Sequence, residues 1–417
     1  MTVSRLKSVK LPGQVLHLAA SDASSPILTT TYAGLRGNDV CAVDLAGKVL
    51  WQKRVDGYSL EARPSDTGTA WIAHGDVNGI AVSELGSAGD FLQTIGLECD
   101  PTEHLAAFAL LPDGIMALWL PPARSRVTPA LLHARLARHD SYGRARWSRP
   151  LPLKTLSVPG KTVTVVKTGD ARPAPPLTSL ALEAAPRDPL LVSGSRVAAT
   201  VANGRSGISV TFFVDTDTGR LIGATEPRPS WHKAIVGPGE FLIGFHGDDE
   251  FTTEHYDATG AVLRKWPTHA QMLIDTEGVI SGPESLYVLE SESALAPRPY
   301  FVRLDPGGDA VQHGPALSGC HTTYPALDCD GTAVFWRDGR LRAVDAALEE
   351  RELLAAENDD RKLMSRVLLL EDGHAVFALN EELMIFRETG LGPLNEGIWP
   401  CAGGGLRGNP VAFRQSS

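Results

Sequence analysis

At 417 residues and 43% apolar, the chain has the length for a large core and need not divide into several domains. Its 39 lysines and arginines against 49 aspartates and glutamates give a formal charge of −10. That balance argues against nucleic acid or an anionic membrane as the main partner, because phosphate contacts need clustered cations.

The five cysteines (Cys41, Cys99, Cys320, Cys329 and Cys401) are odd in number and scattered, which fits reduced thiols better than a disulfide framework. The first twenty residues carry positive charge without the apolar run of a signal peptide, and no stretch approaches a transmembrane helix. A cytoplasmic protein is expected. Glycine (41) and proline (29) are abundant and long amphipathic helical runs are scarce, which favours many short strands linked by turns.

Taken in order, the first predicted unit has strands at 15–19, 27–31, 40–44 and 49–55. In its last hairpin β-branched and aromatic residues alternate with period two, Val49 and Trp51 against Leu50 and Gln52. Asp44 can cap the turn by accepting backbone N–H groups, Gly47 can take the positive φ of a tight turn, and Trp51 offers a broad apolar surface. Counterparts of Asp44 are placed at Glu84, Asp140, Asp215, Asp257, Asp305, Asp345 and Arg387, mostly at a spacing of roughly 40–50 residues. Asp140, Gly143 and Trp147 repeat the offsets of Asp44, Gly47 and Trp51. Asp257 and Gly260 keep the first two, but Trp266 falls two positions late, and Gly223 stands where the fourth unit would carry its tryptophan.

The segment 154–189 breaks the rhythm with two proline-rich runs and reads as a long surface insertion. The sixth unit is placed at 278–280, 285–289 and 300–305. The seventh ends at Asp345, where Leu348 replaces the turn glycine and 346–357 could instead start a short helix. The eighth lacks an outer strand, which 6–9 can supply.

The A-V-D-x-x-G-K-x-x-W pattern of residues 42–51 resembles the repeat of the PQQ-like (quinoprotein dehydrogenase-like) β-propellers. Trp399-Pro400-x-x-Gly403-Gly404 resembles a segment that members often carry before their first blade. The resemblance implies an all-β single propeller domain, 1–417, of eight four-stranded blades, with seven as the other count. It implies that each hairpin's Trp docks against the next blade and that a terminal strand closes the ring. Quinone-dependent members are secreted, bind calcium beside the quinone, and many carry adjacent cysteines. This chain has no adjacent cysteine pair, so neither PQQ nor another cofactor is expected.

Two turns share the triplet His-Gly-Asp: His74-Gly75-Asp76 and His246-Gly247-Asp248, the latter followed by Asp249. A histidine and carboxylates from separate blades can converge on a metal or polar ligand at a channel mouth. A glycine turn with polar flanks explains the same residues. Cys320-His321 with Asp328-Cys329-Asp330 mixes soft and hard ligands but lacks a C-x-x-C partner. Gly403-Gly404-Gly405 lacks the Lys-Ser/Thr of a phosphate loop, and no Gly-x-Ser-x-Gly elbow occurs.

With a fold signal and no chemical motif, the sequence points to a non-enzymatic, monomeric scaffold for protein partners in a cytoplasmic complex, contacting them through a propeller face and the 154–189 insertion. The alternative is an enzyme or small-ligand binder with its site at the channel mouth. Elemental analysis of the purified protein with and without His246→Ala separates the two. The turn reading expects no stoichiometric metal in either, whereas metal lost on substitution establishes the site.

Overall fold

Short strands joined by tight turns return the chain beside the strand it has just left, so antiparallel meanders form locally. A computed structural model describes residues 4–32, 38–55, 58–59, 61–76, 79–101, 103–121, 134–152, 182–184, 188–204, 207–246, 251–267, 270–275, 278–281, 300–305, 310–317, 324–337, 339–355 and 366–412. Among these residues the strands form eight sheets, and no α-helix occurs. Contacts group the chain into two compact units. One comprises Met1–Gly96, Ala270–Glu284 and Pro299–Asn409; the other comprises Leu97–His269, Ser285–Arg298 and Pro410–Ser417.

The first unit holds five sheets. The first sheet is Gln14–Ala19, Ile27–Tyr32, Asn38–Val43 and Val49–Val55. The second follows with Tyr58–Ser59 and Arg63–Pro64 on Ala70–Asp76, then Gly79–Leu85 and Phe91–Gly96. The seventh is Ala326–Leu327, Ala333–Arg337, Arg340–Val344 and Glu350–Ala355. In the eighth, Leu368–Leu369, Ala375–Leu379 and Glu382–Arg387 are completed by the N-terminal Ser4–Lys10, which pairs antiparallel with Glu382–Arg387. The expected closing strand is therefore present. The sixth sheet departs from a simple meander: Ala270–Asp275 lies between Gly278–Ser281 and Tyr300–Leu304 and runs parallel to the latter, with Val311–Ala316 at the edge.

The second unit holds three sheets. The third is His104–Leu111, Gly114–Leu120, Ala134–Asp140 and Ala145–Leu151. The fifth is Ser230–Gly237, Glu240–His246, Phe251–Tyr256 and Val262–Pro267. The fourth has Leu190–Ser193, Arg196–Asn203, Ser209–Asp215 and Leu221–Ala224, extended by Leu182–Ala184 and, in parallel, by Val411–Ala412. Four-stranded sheets repeated along the chain, with the first strand completing the last sheet, are β-propeller construction. Apart from Leu182–Ala184 and the last two residues, the 154–189 insertion lies outside the described residues, as does the strand expected at 285–289.

One hairpin recurs. Asp44 Oδ1 accepts from Lys48 N at 2.7 Å while Gly47 N–H donates to Asp44 O at 2.9 Å. Asp140 does the same for Arg144 and Gly143, Asp257 for Ala261 and Gly260, and Asp345 for Glu349 and Leu348. Leu348 takes the glycine's place at φ 66°, a left-handed conformation that costs a non-glycine residue about 1–2 kcal/mol. The alternative helix at 346–357 does not form, because 350–355 pairs as a strand with Arg340–Val344.

Two other anchors need correction. In the second sheet the turn is closed by Gly86 and Asp90, with Gly86 N–H donating to Asp90 O at 2.9 Å. Glu84 lies two residues earlier in the strand, where it accepts from Thr69 and Gln93. Arg387 anchors no hairpin, since the edge it would have turned into is occupied by Ser4–Lys10.

Outer strands share a bulge. In five sheets the pairing skips one residue just after the turn: Leu50, Leu92, Arg146, Ile222 and Leu263; in the seventh sheet the skip comes later in the strand, at Leu353. The bulge breaks the period-two alternation expected for 49–52, leaving Val49 and Leu50 both exposed. It also bends an edge that would otherwise template another strand.

Trp51 and Trp147 each dock on the turn of the following sheet. A Cβ on Gly89, in the second sheet's turn, would lie 2.6 Å from Trp51 Cε3 of the first. A Cβ on Gly219, in the fourth sheet's turn, would lie 2.7 Å from Trp147 of the third, whose Nε1 donates to Thr216 O at 2.9 Å. Trp266 pairs with Thr253, four residues before its Asp257, whereas Trp51 pairs with Ala42, two before Asp44. A two-residue shift returns a side chain to the same face of a strand, so Trp266 is still buried. Gly223 occupies the tryptophan register opposite Phe213, and Phe213 itself reaches the next turn, with its Cδ2 3.1 Å from a Cβ on Gly260.

Trp147→Ala should cost about 3–5 kcal/mol in urea unfolding. Gly219→Val should cost about 1–3 kcal/mol through overpacking, and less in the Trp147→Ala background, where the ring it strikes is gone. Strict additivity would refute the docking contact.

Candidate functional site

Within the first unit the stretch 399–408, WPCAGGGLRG, crosses the first strands of several sheets. Four glycines at positive φ (Gly403, Gly404, Gly405 and Gly408) let it wind through two tight turns. Such a path leaves carbonyl oxygens outside any ladder, and each needs a donor. Arg366 supplies most of them. Its Nε donates to Leu18 O at 2.7 Å, its Nη1 to Ala402 O and to Gly405 O at 2.7 Å, and its Nη2 to Leu406 O. Arg63 donates from Nη1 to Gly408 O, and Ala20 N–H donates to Leu406 O at 3.0 Å. Both guanidiniums are buried. Arg407 donates to Ser21 O at 3.1 Å and pairs with Asp66.

A carboxylate and an imidazole complete the cluster. Glu61 Oε2 accepts from Arg63 Nη2 at 2.9 Å and lies 3.8 Å from His17 Nε2. A Cβ on Gly408 would come within 2.7 Å of the His17 ring, so only glycine permits this approach. Burial of His17 lowers its pKa to about 3; Glu61 pulls the other way, and Arg366 and Arg63 oppose protonation further. For Glu61 desolvation raises the pKa, but His17, Arg63 and Arg366 together outweigh it and hold the carboxyl below its usual value. An imidazole this acidic is a poor base near neutrality. The two buried guanidiniums are engaged with the chain's own backbone carbonyls and hold the glycine-rich stretch in place.

The residues singled out in the sequence fall elsewhere. His74 lies on Ala70–Asp76, and its Nε2 meets Ser83 Oγ at 2.7 Å, which in turn meets Thr94 Oγ1 at 2.8 Å. Ser83 is fully buried, so this is a cross-strand ladder. The side chains of Asp76 and His246 are not described, and Asp248, Asp249, Cys320 and His321 lie outside the described residues. Among the described residues no three histidine, cysteine or acidic side chains are placed to hold a metal ion. Asp328 caps a turn, accepting from Thr332 N at 2.7 Å and Asp330 N at 3.0 Å, and also receives Gly392 N–H at 3.2 Å. In the second unit Glu254 accepts from Arg228 at 2.7 Å and Tyr256 Oη at 2.6 Å, while the Arg228 guanidinium stacks 4.0 Å over Phe245.

The sequence signal at 399–405 was there as a Trp-Pro-x-x-Gly-Gly segment, but it pointed to the fold and not to a site. Arg63, Arg366, His17 and Glu61 carry no motif and meet only through the fold.

No family model matches the sequence. No curated protein matches it. Among solved structures the chain is similar to a streptogramin B lyase (TM-score 0.48, 11% identity, covering 93% of this chain and 97% of that one). It is also similar to virginiamycin B lyase from Staphylococcus aureus (0.45, 10%, 91% and 98%). A third is the WD40 β-propeller domain of Doa1 (0.44, 11%, 93% and 97%). At these scores the likenesses carry no weight of their own, and the fold rests on the sheet topology.

His17 makes stability depend on pH in a defined direction. Below about pH 6.5 the unfolded chain takes up a proton that the folded chain refuses down to about pH 3, so stability falls as pH drops through that window. The expected slope is up to about 1.4 kcal/mol per pH unit from this residue. Urea titrations between about pH 7 and pH 5, above the range where Glu61 contributes, should show a shallower slope for His17→Gln. Identical slopes would contradict the assignment.

Proposed function

We propose that this protein is a non-enzymatic β-propeller platform that binds protein partners. The observation that carries the reading is the bulged position of the outer strands. Leu50, Leu92 and Leu263 stand there 46%, 54% and 51% exposed. Phe91, beside Leu92, is 41% exposed and lies 4.8 Å under the Lys53 ammonium. A bulge leaves its residue free of ladder pairing, and apolar side chains set on stiff sheets at such positions suit protein contact.

Cys41 and Cys329 are free thiols, which supports a reducing setting. No helix among the described residues is long and apolar enough to cross a membrane. The 154–189 segment is the proposed second contact and the source of this chain's own specificity. If deleting it left every partner bound, that part of the proposal would be wrong.

A photo-crosslinking amino acid at position 50 or 92, introduced in the producing cell, should give discrete protein adducts. Position 388, whose side chain is 66% exposed, serves as control. Leu50→Glu with Leu92→Glu should abolish partner binding while leaving the unfolding midpoint within about 0.5 kcal/mol. Adducts no different from those at 388 would sink the reading.

A further inference from the structure

Residues 391–408 lie against the first and seventh sheets without joining a ladder. Leu394 and Cys401 meet the seventh sheet through isolated bridges, to Asp328 and Ala326, instead of through a ladder. Four more backbone bonds flank them: Cys329 N–H to Pro393 O at 2.8 Å, Asn395 N–H to Leu327 O at 2.9 Å, Leu327 N–H to Pro400 O at 2.8 Å, and Leu394 N–H to Leu369 O at 3.2 Å. Side-chain anchoring falls at Leu391 and at Trp399, Pro400 and Cys401, all buried, whereas residues 402–407 are only partly covered. The densest attachment is a single side chain, Arg366, which grips three carbonyls of the segment and one of Gln14–Ala19.

We propose that 391–408 is a releasable strap, clamped by Arg366 and Arg63, and that the groove beneath it is a binding site for polypeptide of the strap's own chemistry. The recognised features are an extended run with a buried Trp-Pro anchor, followed by a glycine turn that presents carbonyl oxygens to the two guanidiniums. Local opening costs less where a segment lacks ladder pairing, and that holds here but not in the flanking sheets. An arginine is suited to the clamp because its planar fork can serve several oxygens at once; a lysine ammonium cannot reach the same set. The groove lies at the first strands of its sheets, away from the bulged rim, so its test is independent of the crosslinking at Leu50 and Leu92.

Hydrogen exchange on the full chain reads the strap directly. Amides of 394–408 should exchange faster than those of Ala375–Leu379, and Arg366→Lys should speed them by about tenfold or more with Ala375–Leu379 unchanged. In a second full-length variant, Gly404→Val, the new side chain would strike the Trp399 ring, 2.7 Å from its Cβ, and displace the strap from an intact clamp. A fluorescent synthetic peptide of residues 391–409 should bind that variant and should fail to bind it once Arg366→Lys is added. Exchange of strap and sheet at one common rate in the unaltered protein would overturn the proposal. So would an unchanged strap in Arg366→Lys, or a peptide that does not bind Gly404→Val.

Discussion

The contact on which the rest depends is a tryptophan ring laid on the turn glycine of the following sheet. Trp51 on Gly89 and Trp147 on Gly219 convert a local hairpin into a link between sheets, because the ring fits only where no Cβ intervenes. The same glycine meets two demands, since the turn needs its positive φ and the ring needs its missing side chain. Where the tryptophan is missing, the space is filled from another strand: Phe213 reaches Gly260 from one strand further in. The residue that covers the turn glycine can change: at Gly47 the Lys7 and Val9 side chains take the place of a ring.

Edges are the second constraint. A sheet that ends in an open strand invites foreign pairing. On the outer side the bulges at Leu50, Leu92, Leu263 and their counterparts break the edge soon after the turn. In the eighth sheet the chain's own first strand covers it. Near the first strands the C-terminal stretch takes this role by isolated bridges and by Arg366, a weaker arrangement than a ladder.

The polar residues of the interior follow from this. Buried His17, Arg63 and Arg366, with the half-exposed Glu61 at their edge, gather because the glycine-rich stretch brings carbonyls outside any ladder into a buried region, and guanidinium groups satisfy several at once. Their charge sets the protonation of the neighbours: desolvation holds His17 neutral, and the cations hold Glu61 ionised.

The hairpin repeat was legible in the sequence because its causes are local. An aspartate that caps its own turn, a glycine that permits it and a tryptophan at fixed offset act within ten residues, and at Asp44, Asp140 and Asp257 the expected roles hold. The closing role of the N-terminal strand was legible too, since the last unit lacked an edge. Contacts between distant segments decided the rest. The turn at Gly86 was hidden because its backbone bonds form without the aspartate. The bulges were hidden because a skipped residue leaves composition unchanged while altering which side chains face out. Ala270–Asp275 enters its sheet in parallel, a pairing no local pattern specifies. The meeting of Arg366 with Leu18 and Gly405 was least legible of all: residues hundreds of positions apart share one site only after the first and last sheets have paired, and nothing in the spacing of charged residues encodes that.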